Sequence, residues 1–544
     1  MLEVPRTFGA PSPAECFVNC DNISQIDADT SKPDNEIERI SKLLHTAHRD
    51  ASLHTSTSLQ NVLHPTHRLP VEILGDIFIH WRGMAQEKWE EYGKAWSTTP
   101  AEVCQQWRAV AVSNSRLWSH LNIPCHSQNP ANTAELTRIW LDRSGSRPLA
   151  IEVGYTFLGH IRRRWGSVKE NISAFELIKE QAYRWKTIRI RTEKTCGLTS
   201  LLENIPENLP LLSILDISGL SRPETSLKKL KYAPALRELI LDRNIFSFFA
   251  QFPWAQLTSC VLGRAGNYTC QDGYRVIGQA LRLQTCELHL DATFTFDTMS
   301  HPIHHANLLT LRVTVLKGAM VWQLLNAITA PALTTLQFAQ CRAGDPGGPD
   351  HLVSLITRSD CRLERMEIDN RGGSFTHHDI LTLLSLTPML SELELRNGAG
   401  VGLGDSMMDL LTHRPNHGTE VACCLLPQLL SISLPVHRGF SYEKYVAFLS
   451  SRLENAVCHL NGTKLAALRE TALMEWDSVS ASGRHPRRVP PQTFAQYVAL
   501  RDRGMTIQMG YVSIWYPLEK YFRPGDEADD PKYEDDGDLW ADEV

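Results

Sequence analysis

Ten short segments of this chain repeat one apolar pattern, and no other feature constrains its fold as tightly. The pattern is an apolar residue, two others, an apolar residue, one other, and an apolar residue. Copies begin at Trp185, Leu212, Leu236, Leu257, Leu283, Leu308, Leu333, Leu363, Leu390 and Leu429. "PLLSILDIS", "PALRELILD" and "PMLSELELR" show it plainly. The steps between copies run from 21 to 30 residues, with a last step of 39. The closing alternation of period 2 reads as a short strand with one buried face. Stretches between copies, such as "MVWQLLNAITA" and "DHLVSLITRS", read as helices. One strand and one helix cannot bury their own apolar faces, so the copies have to stack.

The spacing matches the roughly 20–29 residues of a leucine-rich repeat, and the chain resembles that class. The reading is an α/β fold with an irregular leucine-rich repeat solenoid of short parallel strands plus helices over residues 181–440. The non-repeating strand positions would face outward on a concave surface. They include Ser213, Asp216, Arg237, Glu238, Thr335, Gln337, Glu364, Glu367, Glu392, Glu394 and Arg396. Each taken singly reads as a solvated polar position. Together they offer an extended surface for a protein partner. Residues 441–522 read as C-terminal helices and a cap: "SYEKYVAFLSSRL" and "KLAALRETALMEW" as helices, then "TFAQYVALRDRGMTIQMGY" as helix and strand.

The ends differ in composition. Residues 1–33 are polar and irregular and read as disordered. Residues 34–64 carry an amphipathic helix with Ile37, Ile40, Leu43 and Leu44 on one stripe. Packing on its own chain is expected, with coiled-coil pairing the alternative. Residues 523–544 form an acidic, disordered tail; from Asp526 onward it holds ten acidic residues and one Lys. The whole chain carries −6, so the remainder is about +3. That charge gives no general pull toward nucleic acid or an anionic membrane. No basic-then-apolar leader is seen at the start, and no run of about 18 apolar residues for a membrane span. Thirteen scattered Cys without a C-x-x-C pair suit reduced thiols in the cytoplasm or nucleus. The sequons at Asn22, Asn171, Asn267 and Asn461 then carry no meaning.

Ahead of the repeats, "RLPVEILGDIFIHWRG" (68–83) is a short amphipathic helix with Pro70 in its first turn. Pro70, Ile73, Leu74, Ile77, Phe78 and Trp81 fall on one face. A second helix is expected from Thr99, Pro100 and Glu102, a capping-box spacing, with Val103, Cys104, Trp107, Val110 and Ala111 on its apolar face. The order Leu69-Pro70-x-Glu72-Ile73-Leu74-x-x-Ile77-Phe78, then Val103-Cys104-x-x-Trp107-Arg108, resembles the F-box. The trailing "RLWSHLNI" and "IWLDRSGSRPLAIEV" resemble F-box proteins of mushroom-type fungi. About 20 residues separate the two halves, more than in the shortest F-boxes. The resemblance implies an F-box-like helical domain over 65–125, followed by linker helices and a first strand over 130–180. It implies that Leu69, Pro70, Ile73, Leu74, Ile77, Phe78, Val103, Cys104 and Trp107 form the surface for a Skp-type adaptor and brace it. Through the adaptor the chain would reach a cullin, with the repeats holding an unidentified protein substrate.

No catalytic pattern competes with that reading. The chain has no G-x-x-x-x-G-K-[ST] loop and no G-x-S-x-G elbow. His301, His304 and His305 cluster, as do His377 and His378, without acidic or Cys partners at metal-ligand spacing. No catalytic residue, metal or cofactor is expected. The expectation is a non-catalytic substrate receptor of a Skp-cullin-F-box ubiquitin ligase. The alternative is a leucine-rich repeat scaffold without a ligase role, its N-terminal hairpin serving as a cap.

Overall fold

The computed structural model describes residues 39–46, 49, 69–87, 100–127, 129–154, 169–191, 208–218, 232–242, 252–263, 268–291, 301–317, 321–340, 348–371, 373, 375–396, 405–412, 425–436, 441–454, 459–460, 463–464, 466–475, 491–511 and 514–516. The expected disordered ends, 1–33 and 523–544, lie outside these residues. The chain divides into two compact units, one of residues 1–88 and 96–114, the other of 89–95 and 115–544.

In the first unit, residues 39–46 are helical, and Ile40, Leu43 and Leu44 are exposed. Ile37, the first residue of the expected stripe, lies outside the described residues. Helix α1 (Val71–Glu87) follows. The second expected helix is two: α2 (Pro100–Val103) and α3 (Gln105–Ser113). The break lies at Cys104, whose backbone is extended and whose Sγ accepts from the Trp107 amide at 3.4 Å, capping α3. A thiol is an unusual N-cap, and spacing alone does not signal it.

The second unit is an α/β solenoid built on a sheet with 15 strands among the described residues. The strands are β1 (His120–Pro124), β2 (Leu149–Gly154), β3 (Trp185–Arg191), β4 (Ile214–Ser218), β5 (Glu238–Leu241), β6 (Ser259–Leu262), β7 (Thr285–Asp291) and β8 (Thr310–Lys317). They continue as β9 (Thr335–Gln340), β10 (Arg365–Asp369), β11 (Glu392–Arg396), β12 (Ser431–Val436), β13 (Glu470–Glu475), β14 (Thr506–Tyr511) and β15 (Ile514–Tyr516). Each pairs with the next in chain order, parallel throughout except β14 with β15. The middle apolar residue of each copy joins one unbroken row, from Leu121 through Ile188, Leu239, Cys286, Leu336 and Leu393 to Ile507. A contiguous core runs under the sheet from Leu121 to Ile507.

The array extends past 181–440 at both ends. β1 lies in the segment read as helical, β2 in the linker, and β13 and β14 in the cap. "KLAALRETALMEW", read as a helix, contributes β13 instead. Its middle apolar slot is held by Thr471, fully buried and hydrogen-bonded to the Tyr445 hydroxyl. In β1 the first slot is held by Trp118, whose ring meets Trp140 edge-on at 4.9 Å. A search for apolar residues passes over Thr471.

Helices pack behind the strands: α4 (Ser115–Trp118), α5 (Pro130–Ser144), α6 (Ile172–Glu180), α7 (Cys270–Gln279), α8 (Val321–Ala327), α9 (Gly348–Ser359), α10 (His377–Ser385), α11 (Asp405–Leu411), α12 (Tyr442–Glu454) and α13 (Pro491–Asp502). α7 and α10 start with reciprocal capping boxes, Thr269 with Asp272 and Thr376 with Asp379. The ends of α5, α7, α8 and α11 are met by donors from a later coil. Arg184 reaches Ser144 Oγ and the Arg147 carbonyl behind α5. His305 Nε2 is 2.9 Å from the Ala280 carbonyl behind α7. Arg358 donates to the Leu325 and Ile328 carbonyls behind α8. Arg452, fully buried, donates to Leu411, Leu425 and Leu426 carbonyls behind α11 at 2.7–3.1 Å. A helix end leaves carbonyls unsatisfied and carries partial negative charge, so a cationic fork there is favourable twice over. Arg452→Met would strand three carbonyls, two of them in buried contacts, each worth roughly 1–3 kcal/mol. The urea midpoint of the chain should fall by the equivalent of at least about 3 kcal/mol; an unchanged midpoint would remove the clamp from the account.

Candidate functional site

Two surfaces carry residues that the architecture does not consume. The first is on α1. Its first bond runs from the Leu74 amide to the Pro70 carbonyl at 3.0 Å, placing Pro70 where its missing N–H costs nothing. Leu74 and Phe78, four apart, are buried. Phe78 meets Trp107 of α3 with ring centroids 5.0 Å apart. The helices come close at Gly75, where an added Cβ would lie 3.0 Å from Asn114 Nδ2. Asn114 Nδ2 donates to the Gly75 carbonyl at 3.4 Å. Leu69, Cys104 and Trp107 are half-buried.

The neighbouring stripe faces solvent. Pro70 is exposed; Ile73 is 48% exposed, Ile77 43% and Val103 58%. Val71 adds 54%. The nine residues singled out from the sequence thus divide by exposure. Leu74 and Phe78 are buried, Leu69, Cys104 and Trp107 are half-buried, with Cys104 capping α3, and Pro70, Ile73, Ile77 and Val103 are exposed. Gly75 and Asn114 were not singled out; a small residue inside an apolar helix is the signal that marks such a contact. Phe78→Ala should lower the unit's stability by about 3–5 kcal/mol, the usual range for a buried Phe. Ile77→Asp should leave it within about 0.5 kcal/mol. Differential scanning fluorimetry of both variants checks the division.

The second surface is the outward row of the strands. Adjacent positions here are Glu287, Arg312, Gln337, Glu367 and Glu394, in register on β7 to β11. Gln337 Nε2 donates to Glu367 Oε1 at 2.9 Å. Arg396 bridges Glu394 at 2.7 Å and Glu367 at 3.3 Å. Arg312 lies 3.5 Å from Glu287, Arg365 2.8 Å from Glu392, and Arg371 2.7 Å from Asp369. Of the positions expected to be solvated, Asp216 and Glu367 are instead buried. Thr335, Glu364, Glu392, Glu394, Arg396, Ser213, Arg237 and Glu238 stay at least partly accessible. Ser213 and Thr258 both bond back to the preceding coil's carbonyls, so their hydroxyls serve the array.

Burial pushes the Glu367 carboxyl up; Arg396 opposes that shift and Glu394 adds to it. The folded state therefore binds this proton more tightly than the unfolded chain does. The charged form burdens the fold at neutral pH, and the burden fades as pH falls toward the ordinary value of 4.5. Glu367→Gln removes the charge and keeps an acceptor for Gln337. It should raise the urea midpoint at pH 7 and lose that advantage near pH 4.5; a lower midpoint at pH 7 would contradict the assignment.

Neither surface carries an obvious reaction centre. No group of His, Cys, Asp and Glu suited to a metal occurs among the described residues. His305 is buried in its clamp, while His301 and His304 are exposed. The described cysteines are Cys104, Cys125, Cys260, Cys270, Cys286 and Cys361. Cys260 and Cys286 neighbour one another on β6 and β7, wholly buried. Burial pushes the Cys260 thiol up to about 12 and Cys286 well above its ordinary value, which makes both poor nucleophiles. Asn171 is buried and bonded to the Pro124 carbonyl and Ser127. No described helix is long and apolar enough to cross a membrane.

No family model matches the chain, and no curated protein matches it in sequence. Among solved structures it is similar to a chain from the crystal structure of the Rad7 and Elc1 complex in yeast. The TM-score is 0.34 and the identity 14%, over 84% of this chain and 97% of that one.

Proposed function

We propose that this chain is a non-catalytic substrate receptor of a Skp-cullin-F-box type ubiquitin ligase. The observation that carries the proposal is the split on α1. One stripe, Leu74 and Phe78, is satisfied internally with Trp107, and the next, Ile73 and Ile77, is apolar and open. A helix that keeps two large aliphatic side chains in water has a reason to do so when a partner covers them. The order of residues there resembles the F-box, and that resemblance names the partner: a Skp-type adaptor, and through it a cullin. The outward strand face would take the protein substrate, since a stack of parallel strands presents one broad rigid surface. The chain's contribution to ubiquitin transfer is then positional. It raises the effective concentration of a bound substrate near a conjugating enzyme supplied by others.

Two buried Ile side chains contribute on the order of 1.5–3 kcal/mol each. Ile73→Asp and Ile77→Asp should therefore each weaken adaptor binding at least about 10-fold. The test is co-purification with a Skp-type adaptor, wild type against both variants, with thermal melting recorded on the same material. Loss of binding with unchanged melting supports the receptor reading. Folded wild-type chain that does not bind would make this a repeat scaffold with a helical cap.

A further inference from the structure

The outward row of the strands changes character along the array. In register from β5 to β11 it reads Ile240, Val261, Glu287, Arg312, Gln337, Glu367 and Glu394. Ile214 of β4 lies diagonally beside Ile240, across from Glu238. Three large aliphatic side chains thus sit together on the outward side of the sheet, and the carboxylates begin next to them. We propose that this face holds an extended basic segment of the substrate protein, with an aliphatic anchor over Ile240 and Val261 and Lys or Arg side chains at Glu287, Glu367 and Glu394. The inference rests on the reading of the strand face as the substrate surface, and it names the chemistry of what that surface takes.

Charge decides the sign of the partner. Along the row three carboxylates, Glu287, Glu367 and Glu394, meet two guanidiniums, Arg312 and Arg396. The pairs beside the row, Arg365 with Glu392 and Arg371 with Asp369, each cancel. Segments 292–300, 318–320, 341–347 and 397–404, which follow β7, β8, β9 and β11, bring Arg342 against Asp297 and Asp345. The row therefore carries a surplus of negative charge. The surplus is felt at Glu367, whose carboxyl burial pushes up in spite of Arg396. The side chains of Glu287 and Glu394 stay 17% and 20% accessible, so a cation can reach them. Both are already held in place, Glu287 at 2.9 Å from His289 and Glu394 at 2.7 Å from Arg396. Little ordering cost remains when a partner binds them. An incoming ammonium or guanidinium gains charge-assisted hydrogen bonds there, and an acidic segment is repelled.

The register sets the spacing. Neighbouring strands lie roughly 4.8 Å apart, and an extended chain advances roughly 3.3 Å per residue. A segment laid across the strands from Val261 meets Glu287 on the next strand. Glu367 and Glu394 follow on β10 and β11, roughly 19 and 24 Å from the anchor. Those distances correspond to about two, six and seven residues of extended chain. Arg312 and Gln337, between the carboxylates, ask for neutral residues in the middle of the segment. The recognised pattern is an aliphatic residue, a basic one close by, and a basic pair at the far end. Burying the aliphatic anchor on Ile240 and Val261 supplies the hydrophobic part of the affinity.

Two fluorescein-labelled peptides test this, GSLSRGSGRRSG and its reverse, because the row does not fix the direction of the bound chain. Fluorescence anisotropy with the full chain near physiological salt gives the Kd of each. At least one should bind. Replacing its Arg residues by Glu should weaken it at least about tenfold, and replacing its Leu by Ser should cost about tenfold. In Glu394→Lys the Arg peptide should lose affinity and the Glu peptide should gain it, a gain that misfolding cannot produce. Adaptor co-purification on the same material reports on α1 separately, so failure of the ligase role and failure of this inference are read apart. No binding by either peptide, equal Kd for the Arg and Glu forms, or affinities unchanged in Glu394→Lys would each overturn the assignment.

Discussion

Everything in the larger unit depends on a coil of strand and helix being unable to bury its own apolar face. Each strand turns two or three side chains inward, and each is covered only because the coils on either side supply the rest of the wall. The unbroken inward row from Leu121 to Ile507 is the physical result. Stability is shared between neighbours, so polar atoms at the seams matter as much as the core. Helix carbonyl ends that would otherwise be orphaned are met by His305, Arg358 and Arg452. Strand starts are tied by hydroxyls such as Ser213, Thr334 and Ser391, each bonding the preceding coil's carbonyl.

That arrangement leaves the outward face with little structural duty, and side chains there are free to be polar. They are not simply solvated. Arginines and carboxylates on successive strands neutralise one another, and Glu367 is buried within that network. Ion pairs at such a half-exposed surface contribute modestly to stability. Their larger effect is to hold long side chains in fixed positions, which lowers the ordering cost when a partner binds.

Much of the array was legible because its Leu, Ile and Val positions repeat at nearly constant steps. It became illegible where a polar residue does the same job: Thr471 fills a slot in which the pattern calls for an apolar side chain. Short first strands such as Leu149–Gly154 carry the alternation without the leading pair. The seam clamps were hidden for another reason. Arg452 sits in "SSRLE", which reads as a solvated helix end until the neighbouring coil is in place. On α1 the helix and its apolar side were clear, but Ile73, Leu74, Ile77 and Phe78 span two adjacent stripes. Periodicity sets the width of such a face; only α3, with Trp107 against Phe78, decides which half is buried.

The central claim is that the open stripe on α1 is where a Skp-type adaptor sits. Hydrogen-exchange footprinting of the full chain with and without that adaptor addresses it directly. The account predicts added protection over residues 70–79 and around Val103, with the strand face from Glu287 to Arg396 unchanged. Protection that falls on the strand face instead, or a bound complex in which α1 exchanges as it does in the free chain, would contradict it.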